Sequence, residues 1–181
     1  MKYQRIRTLT ILSAAGALFA VVGTISAQDA PESDSPASHR VAGVEVQVQV
    51  EEEMLQVALS AETTGWVSIG FDPSQMMAEA NIIIAYVEDG ELHIADDYGT
   101  GPMSHDRDTV HGGTHDVNAA TGREEEGVTS VEFAIPLDSG DDRDKTLLPG
   151  NTYLVLVAHG PDGADDFTTY HANRGSFELE L

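Results

Sequence analysis

Val44, Val46, Val48 and Val50 alternate with Glu45, Gln47, Gln49 and Glu51. A period of two puts all four valines on one face of an extended strand and the polar residues on the other. A one-residue slip would turn every valine outward, so the pattern sets register as well as strand type. Leu55, Val57 and Leu59 continue the alternation. No later stretch keeps a 3.6-residue period, so a sheet protein is expected rather than a helical one.

The remaining strands are predicted from the same signals. Trp66 to Phe71 runs into Asp72-Pro73, which stops it. Asn81 to Val87 and Leu92 to Ala95 flank Asp89-Gly90, a strong two-residue hairpin signal. Val128 to Ile135 ends at Pro136, Tyr153 to Ala158 is nearly all apolar, and Ser176 to Leu181 alternates again. Roughly nine short strands separated by turns argue an all-β, antiparallel sandwich. The stretch from Asp96 to Gly127, rich in Gly, His, Asp and Thr, is expected to be one long connection.

The first 27 residues have the layout of a cleaved secretory signal peptide. Lys2, Arg5 and Arg7 precede an apolar run from Leu9 to Ile25, and Ser26-Ala27 closes it. Residues 28–40 are expected to form a flexible acidic linker, and residues 41–181 the folded domain. Removing residues 1–27 leaves 154 residues (181 − 27), with 6 basic (9 − 3) against 31 acidic. That size suits one core. The field of such a surface repels nucleic acid and anionic membranes and favours basic partners, cations or a high-salt habitat. The mature chain is expected to be secreted or periplasmic, with no membrane span. It has no cysteine, which excludes disulfides, thiolate zinc sites, Fe–S clusters and covalent c-type haem.

Two residues 94 positions apart (171 − 77) stand out, Met77 and His171. A thioether and an imidazole are axial ligands that hold a haem iron without cysteine. Met76 and His159 are chemically equivalent rivals. A second candidate is the run of His105, His111 and His115 with Asp106, Asp108 and Asp116, donors suited to Zn²⁺, Cu²⁺ or Ni²⁺. Its spacing matches no metalloenzyme signature, so a solvated polar loop is the expectation. Asp138 to Asp144 has a calcium-loop composition without the EF-hand spacing, and is read as an acidic turn. No nucleophile–base–orienter set is visible, so an enzyme acting alone is not expected.

The order of motifs resembles a DOMON domain across roughly Val41 to Leu181. It runs Gly65-Trp66-x-x-x-Gly70-Phe71, Met77-x-x-Ala80-Asn81, an aliphatic strand with an Asp-Gly hairpin, Phe133-Ala134-Ile135-Pro136-Leu137, and Tyr170-His171 before the last strand. The resemblance implies an immunoglobulin-like β-sandwich of about nine to eleven strands. It also implies either non-covalent haem b with Met/His ligation or, in other members, binding of a sugar or small ligand without haem. It favours Met77 over Met76, because Ala80 and the strand start follow in register. On this reading Met77 and His171 bind the iron, and Trp66, Phe71, Tyr86 and Tyr98 wall the pocket. The redox partner is expected to be a separate protein. The family often has glycine two residues after the methionine and aspartate two further on, where this chain has Glu79 and Asn81.

Overall fold

The computed structural model describes residues 36–181, and the expected signal peptide and most of the expected linker lie outside them. Eleven strands and one short 3-10 helix make up the fold of the described residues. In chain order these are β1 (Ala37–Val41), β2 (Val44–Glu51), β3 (Met54–Ala61), β4 (Val67–Phe71), β5 (Asn81–Glu88), β6 (Glu91–Gly101), β7 (Ser104–Arg107), the 3-10 turn Asp108–His111, β8 (Asn118–Glu125), β9 (Val128–Pro136), β10 (Thr152–His159) and β11 (Asn173–Glu180). They form two antiparallel sheets, β1-β2-β3-β9-β8 and β11-β10-β4-β5-β6-β7. The all-β antiparallel sandwich read from the sequence is the architecture found. No helix among the described residues is long and apolar enough to cross a membrane.

The valine stripe behaves as its period dictates. Val44, Val46 and Val48 are buried, and Glu45 and Gln47 are exposed. These valines meet Leu55, Val57 and Leu59 from β3, and Ile69 and Phe71 from the opposing sheet, in one core. At the β5–β6 hairpin Asp89 and Gly90 both have positive φ (53° and 80°), as a type I′ turn demands.

Two boundaries differ from the expectation. The linker does not extend to residue 40: Ala37–Val41 pairs with β2 from Ala37↔Val48 to Val41↔Val44. The Ala42-Gly43 turn, with φ of 53° and 86°, folds this segment back. A strand at the edge of a sheet needs no hydrophobic alternation of its own, which hid it. The stretch Asp96–Gly127 is likewise not one loop. β6 continues to Gly101, β7 returns along it, and β8 follows the 3-10 turn. Irregular register between β6 and β7, and between β8 and β9, broke the period that would have marked these strands.

Candidate functional site

The central strands β4, β5 and β10 of the six-stranded sheet are largely apolar on both faces. On β4, Val67, Ile69 and Phe71 enter the core, so Ser68 and Gly70 face outward. On β5, Ile83 and Ala85 point inward, while Ile82 and Ile84 point outward. On β10, Val155 and Val157 belong to the core, and Leu156 and Ala158 to the other face. Small and aliphatic side chains thus form the floor of an open cleft of ≈ 580 Å³ outside the sandwich.

Met77 and His171 both line this cleft. Met77 comes from the β4–β5 connection, which is pinned to the β6–β7 corner. Glu79 N–H donates to the Gly99 carbonyl (2.7 Å), Gly99 N–H to the Ala80 carbonyl (2.9 Å) and Met77 N–H to the Pro102 carbonyl (3.4 Å). Gly99 permits this approach. A Cβ there would lie 1.7 Å from the Met77 carbonyl oxygen. Glu79 has φ of 61°, the left-handed region where glycine is least costly, and its side chain is exposed away from the cleft. Met76 also reaches the rim, but is nearly half exposed.

His171 comes from the β10–β11 connection, which is loop rather than a continued strand. Its position is therefore set by hydrogen bonds, not by strand parity. The Asp166 carboxylate accepts from the Thr168 N–H (2.6 Å) and hydroxyl (2.7 Å), and from the Thr169 N–H (2.6 Å) and hydroxyl (2.5 Å). These four donors, the Thr169 hydroxyl foremost, hold its carboxyl well below the ordinary range. Trp66, in the cleft, donates its indole N–H to the Thr169 carbonyl (3.1 Å), and Ala172 N–H donates to the His159 carbonyl (2.8 Å). His159 itself stays off the cleft, its Nδ1 2.9 Å from the Gly160 carbonyl.

The other expected wall residues divide. Trp66 lines the cleft, but Phe71 does not. Phe71 is fully buried between the sheets, because it lies five positions after Trp66, an odd step that reverses the face. Tyr86 stands behind the wall. It stacks on His93 (ring centroids 4.7 Å apart), props Phe167 (4.8 Å), and has its phenol pKa raised by burial and then by Glu88. Tyr98 lies elsewhere, beneath the Arg143 guanidinium at 5.1 Å. The three histidines of the expected metal loop part company. His105 lines the cleft with Nδ1 2.6 Å from Asp97, His111 lies 3.4 Å from Asp106, and His115 is exposed.

The lining contains no Asp or Glu, although the chain carries 31 of them. Its basic members are His105, His171 and Arg174. Exposed Met103 and Tyr170 give it an apolar rim. The sequence reading missed Met103, His105 and Arg174 as cleft residues. The continuous apolar run of β5 was the available signal, since a strand apolar at every position has something to cover on both faces.

The match to the family model of the DOMON domain spans residues 38–160. This chain belongs to the DOMON domain family. The match includes Met77 and ends before His171. The domain is 30% identical over 130 residues to mouse DBH-like monooxygenase protein 1, covering 71% of this chain and 21% of that protein. It is 28% identical over 124 residues to the human protein of the same name, covering 68% of this chain and 20% of that one. The chain thus spans about a fifth of the length of these relatives. Among solved structures, the fold resembles the cytochrome domain of Myriococcum thermophilum cellobiose dehydrogenase, with a TM-score of 0.55, 11% identity, and 83% and 90% of the two chains covered. It also resembles the cytochrome b domain of pyranose dehydrogenase from Coprinopsis cinerea, with a TM-score of 0.54, 9% identity and 75% of each chain covered.

Proposed function

We propose that this DOMON domain is an exported haem b electron-transfer domain in which Met77 and His171 supply the two axial ligands. One observation carries the reading. A methionine and a histidine distant in sequence line the same apolar cleft, and no carboxylate lines it with them. The residues present fit the group. A volume of ≈ 580 Å³ falls in the range of cofactor sites, about 300–1,000 Å³. Ser68 and Gly70 leave the floor low enough for a flat ligand, and Ile82, Ile84 and Leu156 exclude water from it. Arg174 at the edge offers a cation to the carboxylates that a porphyrin carries.

When bound, haem iron supplies reversible one-electron chemistry, at a potential raised by Met/His ligation. The protein's part is positional. The Gly99 contact holds the Met77 backbone, and the Asp166 turn with the Trp66 indole holds the loop of His171. With Met77 and His171 both holding it, the group would serve electron transfer rather than the binding of a further ligand. Electrons would then pass to a separate partner, and the excess of 31 acidic over 6 basic residues in the mature chain would steer a basic one with a salt-sensitive on-rate. The apolar, carboxylate-free floor favours this reading over a sugar, whose hydroxyls need many polar partners.

The test is an absorption spectrum during haemin titration, then dithionite reduction. The expected result is a saturable Soret band with sharp reduced α and β bands. These change in Met77→Ala and His171→Ala and persist in Met76→Ala and His159→Ala. A wild-type protein that stays colourless through the titration would refute the haem reading and leave the small-ligand module.

A further inference from the structure

On the core-facing side of β6, away from the cleft, lies a group of carboxylates that neither the fold nor the proposed haem site explains. Asp96 and Asp97 are neighbours on β6 and point to opposite faces. Asp97 faces His105, whereas Asp96 is in register with Ile83, a core residue. One carboxylate oxygen from each of Asp96, Asp116 and Asp144 lies within 4.8 Å of the others. Asp108, fully buried, adds a fourth carboxyl group beside them, with Asp144 its strongest carboxylate neighbour.

Protein groups satisfy these carboxylates only in part. Asp96 is 3% exposed, and although its Oδ2 accepts the Asp116 N–H (2.7 Å), its Oδ1 is buried without a partner. Both oxygens of Asp108 and Oδ1 of Asp144 are in the same condition. Among the described residues, no Lys or Arg forms an ion pair with any of the four. Arg143, the cation in the neighbouring loop, is turned away, donating from Nε to the His111 carbonyl (3.1 Å) and lying over Tyr98. Buried carboxylates without hydrogen bonds or a counter-charge are costly and rare in native proteins. A cation seated among them removes the cost.

We propose that Asp96, Asp116 and Asp144 bind a calcium ion. An all-oxygen donor set without histidine or sulfur selects a hard cation. Oxygens up to 4.8 Å apart suit bonds of about 2.3–2.6 Å to a central ion. They come from separate stretches of the chain, and such a flexible shell suits calcium better than strictly octahedral magnesium. The walls are braced independently of the ion. Asp141 accepts from the Thr114 N–H (2.5 Å) and the Arg143 N–H (2.8 Å), and the Thr114 hydroxyl donates to Asp116 (2.6 Å). The ion would staple β6, the segment before β8 and the loop before β10, the last of these being the acidic run that sequence reading took as a turn. The site stands whether or not the cleft takes haem.

The experiment is calorimetric titration of the EDTA-stripped full chain with CaCl₂, paired with thermal unfolding at matched ionic strength. The expected result is saturable binding of one equivalent, and a Tm that rises with calcium and less with magnesium. Asp144→Asn should weaken binding at least about tenfold, whereas Asp142→Asn, an exposed carboxylate in the same loop, should leave it unchanged. If Asp144→Asn does not fold, Tb³⁺ luminescence of the wild type, quenched by added calcium at one site, decides instead. No heat and no Tm change up to about 10 mM calcium, above the range of weak extracellular sites, would overturn the proposal. So would equal weakening by both variants, or terbium that calcium does not displace.

Discussion

The two sheets of this DOMON domain share one core and present opposite outer faces. Outside the five-stranded sheet, Gln47 and Glu132 flank Ala58 in register across three strands, a surface that water covers well. Outside the six-stranded sheet, Ile82, Ile84 and Leu156 lie in an open cleft. A sheet in a sandwich needs only one apolar face. An apolar second face, rimmed by loops and cleared of carboxylates, marks a binding surface. The contrast locates function more sharply than any single motif.

The largest effect should come from the cleft's two loop residues. His171→Ala and Met77→Ala should abolish the six-coordinate spectrum of the haem-loaded domain, whereas Gln47→Ala on the other outer face should leave it intact. Next comes a test within one strand. Ile83→Ala opens the core and should cost about 2–5 kcal/mol, read as a fall in urea midpoint. Ile82→Ala, one residue away but on the cleft, should cost the ligand-free protein less and weaken haemin binding instead. Equal losses from both would erase the distinction between the faces. Gly99→Ala is intermediate. Its Cβ meets backbone at Met77, which cannot rotate aside, so a loss of about 1–3 kcal/mol is expected, with a shift in the haem spectrum that an equally destabilising core variant lacks.

The smallest effect is on pH. Without divalent cations, burial pushes the Asp96 carboxyl to about 8 and, with Asp144 adding to it, Asp108 to about 7, against an ordinary 3.8. The folded state then holds protons that the unfolded chain has released, so stability falls as pH rises from about 4 towards 8. Urea midpoints in EDTA at pH 5 and pH 8 should show this fall, and calcium should reverse it. The Asp166 turn has the opposite sign. Its lowered carboxyl stabilises the fold above the ordinary carboxylate range, and that contribution goes only at strongly acid pH.

Much of the fold was legible because strand structure is periodic. The alternation of β2 and β3, the Asp89-Gly90 turn and the prolines at Pro73 and Pro136 are local signals, and they bound most of the core strands. Three of the four edge strands escaped notice, all but the alternating β11: β1 lacks its own alternation, and β7 and β8 are broken by irregular register. Parity also sorts Phe71 from Trp66, since an odd separation along a strand changes face. That information was present in the sequence and outweighs the intuition that nearby aromatics wall one pocket.

What the sequence by itself determined was the class of fold, the main strand faces and a short list of soft donors. Tertiary structure decided which donors meet. The loops bearing Met77 and His171 carry no period, and hydrogen bonds to distant residues, Gly99 and Trp66 among them, place both on one cleft. It also decided that Asp96, Asp116 and Asp144 converge while His105, His111 and His115 disperse. The physical reason is the same in each case. Local chemistry sets how a segment runs, but the meeting of segments depends on register and closure across the whole sandwich, which no single stretch encodes.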